Sequence, residues 1–204
     1  GRLAVTWHPH QCSDCVHSLA VTTDSAWVGT FSGGIVRIDR ASGAARRFTT
    51  SDGLGGNSVA ALAVGPDGNV WVATNRTATI SAPTGISRWD GRAWTVYGPG
   101  DGLPAEFVAG LAAGPAETAL AIVPGGVARF DGARWYVETP ADGLPSANVA
   151  GVCIDAAGAG WAATDAGLAA FDGTRWTTVP VDGLGGDRFA AVGDGGDGTV
   201  WALA

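Results

Sequence analysis

Along this chain, apolar residues come in short runs, cut by clusters of Gly, Asp, Pro and Asn. Val59-Ala60-Ala61-Leu62-Ala63-Val64 is followed by Gly65-Pro66-Asp67-Gly68, and then by Val70-Trp71-Val72-Ala73. Runs this short, bounded by turn formers, predict strands rather than helices. In the unit that opens at Asp52 the pattern predicts four strands, over 59–64, 70–73, 85–89 and 93–97. Gly65-Pro66-Asp67-Gly68 supplies one reversal, because Gly and Asp tolerate the φ values a tight turn needs. Asp90-Gly91 reads as a two-residue type I′ hairpin, and it recurs as Asp131-Gly132 and Asp172-Gly173.

The whole pattern repeats. Asp52-Gly53-Leu54 returns at Asp101, Asp142 and Asp182, at spacings of 49, 41 and 40 residues. A fixed period of this length marks a repeat architecture. Four antiparallel strands in about 40 residues describe one blade of a β-propeller. The fold class is therefore all-β, a β-propeller of four-stranded antiparallel blades, with four full blades and partial blades at both ends. The repeats run over 9–51, 52–100, 101–141, 142–181 and, in part, 182–204, within a single domain or piece of one, 1–204. Residues 1–8 fall where a preceding blade's fourth strand belongs. They would either complete the last blade and close a five-bladed ring, or leave an arc of a larger ring with two open apolar faces. The arc is the preferred expectation.

First strands carry small residues (Ala60 and Ala61, Ala109 and Gly110, Ala150 and Gly151), as crowding around a central axis requires. Trp27, Trp71, Trp161 and Trp201 take second strands, and Trp94, Trp135 and Trp176 take fourth strands. All are expected to be inter-blade core. Cys153, in a first strand, is expected as a small buried residue.

The unit reads Asp-Gly-Leu, short strand, Asp-x-Gly, Trp strand, Gly-(Leu/Ile)-x-x-(Phe/Trp)-Asp-Gly, Trp strand. It resembles the two-component regulator propeller repeat, best over 52–97 and 142–178. In 101–137, Ala116-Glu117 replaces Asp-Gly, and Leu120 stands where Trp is expected. The resemblance implies a non-catalytic, ligand-binding sensor module. It implies a periplasmic or extracellular position in a bacterium, with further blades or an output domain covalently attached. The ligand it implies is a small or carbohydrate-like molecule.

Net charge is −7, spread along the chain, which excludes a basic footprint for nucleic acid or anionic lipid. No run approaches the roughly 18 apolar residues of a membrane-spanning helix, so no direct membrane insertion is expected. The chain starts at Gly1 and holds no Met, so it reads as a processed or excised piece. Only Glu106, Glu117 and Glu138 are glutamates, and no His follows His17. An acid–base pair for glycoside chemistry is hard to assemble from these, and no catalytic residues are expected. Two alternatives stand beside the sensor: a propeller lyase or hydrolase using a metal, and a structural scaffold for protein partners.

The metal would lie in the cluster His8, His10, Cys12, Cys15 and His17, since imidazole and thiolate are ligands zinc prefers. A Cys12–Cys15 disulfide, thiols in a loop and a zinc site are all open there; no other cofactor is expected. Residues that vary just before each first strand are the candidate ligand contacts at the channel mouth: Asn57, Ser58, Glu106, Phe107, Asn148, Asp187 and Arg188. Arg76 joins them from an insertion, 76–83, between second and third strands. The Asp-Gly-Leu aspartates are expected to bond their own backbone two residues on and fix the turn. Asp67 and Asp197 are expected to do the same.

Overall fold

The computed structural model describes residues 15–75, 85–181 and 188–204. The first blade is β1 (Val16–Val21), β2 (Ser25–Thr30), β3 (Ile35–Asp39) and β4 (Ala45–Phe48). The second is β5 (Val59–Val64), β6 (Val70–Thr74), β7 (Gly85–Trp89) and β8 (Trp94–Tyr97). The third is β9 (Gly110–Ala113), β10 (Ala119–Val123), β11 (Gly126–Phe130) and β12 (Trp135–Glu138). The fourth is β13 (Val149–Ile154), β14 (Gly160–Thr164), β15 (Gly167–Phe171) and β16 (Trp176–Val179). A last pair, β17 (Ala191–Asp194) and β18 (Val200–Leu203), forms a two-stranded sheet. Each full blade is an antiparallel meander in chain order.

Asp-Gly-Leu is the exit of a one-turn 3-10 helix that joins two blades, at Thr50–Asp52, Pro99–Asp101 and Pro140–Asp142. Its aspartate reaches backward, not two residues forward as expected. Asp52 Oδ2 accepts from the Thr49 N–H at 2.9 Å, Asp101 from Gly98 at 2.9 Å and Asp142 from Thr139 at 2.9 Å. The backbone must then turn left-handed, and Gly102 does so at φ 97°; a Cβ there would lie 2.1 Å from the Trp135 carbonyl oxygen. Asp182 lies outside the described residues. Asp67 and Asp197 do bond two residues on, to the N–H groups of Asn69 and Thr199.

The outer hairpins also differ from the two-residue form. Trp89 pairs with Trp94, leaving four loop residues, and Asp90 Oδ1 accepts from the N–H groups of Arg92 and Ala93, both at 2.8 Å. Only Gly91 of that loop has positive φ, whereas a type I′ turn needs two such residues. The carboxylate, by satisfying two backbone donors, does the work assigned to the dipeptide.

The innermost strands β1, β5, β9, β13 and β17 pack side by side in chain order, and among the described residues β17 does not pack on β1 as neighbouring innermost strands do on each other. The blades form an arc of a propeller. Each blade presents one face forward, onto the back of the next. Trp71, fully buried on the forward face of β6, meets Phe130 at 5.1 Å and Trp135 at 5.7 Å across the junction, and stacks on Tyr97 of its own blade at 6.0 Å. Trp27, Trp135 and Trp176 are buried as expected. Trp201 is not: its ring is 73% exposed on β18, because among the described residues no blade faces it. Leu19 and Val21 leave the back of the first blade exposed in the same way.

Trp71→Ala should therefore cost about 3–5 kcal/mol, the loss typical of a buried aromatic. Trp201→Ala should stay within about 0.5 kcal/mol, as for a surface change. Urea unfolding of the two variants measures both.

Candidate functional site

The arc has two ends along its axis. At one lie the 3-10 helices, the starts of the innermost strands and the loops between second and third strands. Of the candidates there, Ser58 is 5% exposed and belongs to the wall rather than the surface. Asn57 is half-buried, and its Oδ1 accepts from the Thr50 N–H at 2.9 Å, so it anchors the interblade turn. Glu106 and Phe107 are exposed, the Phe107 ring by 58%. Asn148 and Arg188 are exposed, and Asn148 bonds a residue the sequence reading missed, Asp165. Asn148 Nδ2 donates to Asp165 Oδ2 at 2.9 Å. Hydrogen bonds from Ser146 and Asn148, with the Arg188 charge adding to them, hold the Asp165 carboxyl below the ordinary carboxylate range. The signal in the sequence was position: Asp165 sits in the β14–β15 loop, and such loops open on this end. Asn75 was missed too. It clamps the second blade to the third, donating to the Val108 carbonyl at 2.9 Å and accepting from the Val108 N–H at 3.0 Å.

Arg76, Asp187, His8, His10 and Cys12 lie outside the described residues. Cys15 is exposed, and His17 on β1 faces Phe31 with ring centroids 6.0 Å apart. Among the described residues no three His, Cys, Asp or Glu side chains gather as a metal site. Cys153 is buried as expected, and burial pushes its thiol up to about 11.

At the opposite end a cavity of about 740 Å³ opens among the turns that link first and second strands. Asp24, Asp67, Asp155 and Asp194 stand around it. Their oxygens are occupied by the turns: Asp24 accepts from the Thr22 hydroxyl at 2.7 Å, Asp155 from the Trp161 indole N–H at 2.9 Å, and Asp194 from the Gly196 N–H at 3.1 Å. Burial works to raise the Asp155 carboxyl, but the indole and the backbone N–H groups together hold it low. The sequence showed these residues as turn formers only. The structure adds that their turns converge.

With this geometry in hand, residues 53–76 match the family model described as two component regulator propeller. That stretch carries a regulator-propeller repeat. Solved structures share the fold across nearly the whole chain. An extracellular domain assigned to a hybrid two component system, BT3049 of B. thetaiotaomicron, aligns over 93% of this chain and 26% of its own, at 20% identity and TM-score 0.67. The extracellular domain assigned to the one component system BT4673 of the same organism aligns over 100% and 27%, at 18% identity and TM-score 0.66. A streptogramin B lyase aligns over 92% and 61%, at 15% identity and TM-score 0.65. The chain thus spans about a quarter of the two extracellular domains. No curated protein sequence matches it. Among the described residues no helix is long and apolar enough to cross a membrane.

The outer hairpins carry a pH dependence. Asp90, Asp131 and Asp172 are each held below the ordinary carboxylate value, chiefly by two backbone N–H donors. A depressed folded value contributes stability that is present above the unfolded value of about 3.9 and is lost as pH falls through the folded one. Melting temperature should therefore drop as pH is lowered from about 5 to about 2. The triple variant Asp90→Asn, Asp131→Asn, Asp172→Asn should flatten that drop, as followed by circular dichroism at each pH.

Proposed function

We propose that this chain is a ligand-binding module without catalysis of its own, from the extracytoplasmic input part of a bacterial signalling protein. The match of its repeat to the two component regulator propeller carries the reading. The likeness to extracellular domains assigned to a two component and a one component system supports it. The ligand site is the end of the arc where side chains vary from blade to blade on a common scaffold. There Phe107 offers an exposed ring. In the loops of the following units Asn148 and Asp165 pair as donor and acceptor, and Arg188 adds a positive charge. An apolar ring face at the same end of the arc as an amide, a carboxylate and a guanidinium suits a hydroxyl-rich, carbohydrate-like molecule, whose ring stacks while its hydroxyls both donate and accept. Contacts spread over adjacent blades would favour one packing of the blades, or of neighbouring domains, over another, and that difference in affinity is the signal.

A ligand that binds only the folded chain raises its melting temperature. In a panel of oligosaccharides, at least one should raise it, and the rise should vanish in Asp165→Ala and in Phe107→Ala. A rise that survives both substitutions would place the ligand elsewhere. Conversion of the sugar during incubation, seen by chromatography, would replace the sensor reading with an enzyme.

A further inference from the structure

The junction between the second and third blades and the junction between the third and fourth occupy the same place in the repeat, but they are filled differently. In the first, three groups close the slot. The Trp71 indole lies between Tyr97 of its own blade and Phe130 and Trp135 of the next. Arg88, with its guanidinium carbon 5.8 Å from the Trp71 ring centre, reaches across to Glu117 in a bidentate pair at 2.7 and 3.1 Å. Glu117 and Ala116 hold left-handed backbone, φ 63° and 53°, where the neighbouring unit has Asp67-Gly68. A left-handed conformation that a residue other than glycine rarely accepts is kept here, and the Glu117 carboxylate it delivers fastens the junction.

At the next junction the tryptophan and the glutamate are both cut back, and the tyrosine is lost. Leu120 stands where Trp71 does, Gly158 where Glu117 does, Gly160 where Ala119 does, and Glu138 where Tyr97 does. A cavity of about 240 Å³ lies there, lined by the side chains of Leu120, Ile154 and Phe171, with Thr118 and Asp131 at its mouth. Arg129, the counterpart of Arg88, forms its wall. Its guanidinium carbon lies 4.6 Å from the Phe171 ring centre, and with no carboxylate across the junction it turns to Glu138 of its own blade at 3.0 Å.

We propose that this slot binds a small, uncharged, planar aromatic molecule of one ring or two fused rings, with indole as its type. The indole of Trp71, in the equivalent place, shows the shape and chemistry that the slot accepts. The volume falls below the roughly 300–1,000 Å³ of pockets for larger ligands, so a lone ring system is the right size. The Leu120, Ile154 and Phe171 side chains give an arene apolar contacts, and the glycines at 158 and 160 leave room for a flat ring. The Arg129 charge is already balanced by Glu138, and Asp131 adds a carboxylate at the mouth, so an anion is disfavoured. The oxygens of Thr118 and Asp131 at that mouth suit a ring that carries an N–H or O–H donor. This site is separate from the carbohydrate-facing end of the arc, and it stands whether or not that reading does.

Ligand-observed NMR and thermal melts with indole test it on the chain as it is. Indole should show saturable binding in the millimolar range or tighter and raise the melting temperature, while benzoate should bind at least about tenfold more weakly. Leu120→Trp should fill the slot, weaken indole binding by about tenfold or more, and melt no lower than the parent chain. If Leu120→Trp does not fold, Leu120→Phe serves in its place, with the same direction of change. No binding of indole, binding that persists in the variant that folds, or benzoate binding as tightly as indole would overturn the proposal.

Discussion

The arc depends on packing blade against blade, and its fullest form is between the second and third blades, where a large ring on the forward face of one is pressed against the aromatic back of the next. A four-stranded blade alone has two apolar faces and no means of burying either. Stacking solves this, and the geometry of stacking decides residue size. Near the axis strands crowd, and Ala61 and Ala112 suffice; farther out blades splay, and rings such as Trp71, Phe130 and Trp135 bridge the wedge. The same residue types that are buried at inner junctions are exposed at the ends of the arc, at Leu19 and Val21 on one side and Trp201 and Leu203 on the other. Their exposure is a property of position rather than of sequence.

The turns bear the second constraint. Each reversal leaves backbone N–H groups that no ladder reaches, and an aspartate collects them: Asp90, Asp131 and Asp172 in the outer hairpins, Asp52, Asp101 and Asp142 at the interblade helices. Much of the chain's acidity is thus engaged in holding its own backbone. That is why a net charge of −7 says little about partners beyond excluding those that need a basic surface. It also means that the carboxylates around the axial cavity are first of all turn anchors. Asp165 differs, because the partner it engages is an amide at the entry to its own blade, and the Arg188 charge adds to its environment.

What the sequence made legible follows the reach of each interaction. Strand positions, the repeat and the two-strand last sheet were readable because apolar periodicity and turn chemistry are local. The direction of the Asp52 bond and the true length of the Asp90 loop were not, since Asp-Gly is compatible with several turns and only the register of Trp89 against Trp94 separates them. Burial of Ser58 and exposure of Trp201 depend on which blade stands opposite, and a single repeat read alone carries no such information. Asn75, Glu117 and Asp165 escaped for the same reason: each acts on a residue at least 17 positions away, across a loop or a junction.

The third unit shows how repeats diverge without losing the fold. Its departures, Ala116-Glu117 and Leu120, look in sequence like one weakened copy. In space they fall on opposite junctions, with opposite effects. Glu117 points to the second blade and strengthens that junction by engaging Arg88; Leu120 points to the fourth and loosens the other. The remaining contacts there still bury Phe171 and Trp176, so the junction holds with less than its full complement of rings. A packing surface that keeps enough of its rings can surrender one, and the space surrendered has the shape of what was lost. Binding sites can arise in repeat proteins by this route, through subtraction at a junction whose neighbours continue to carry the load.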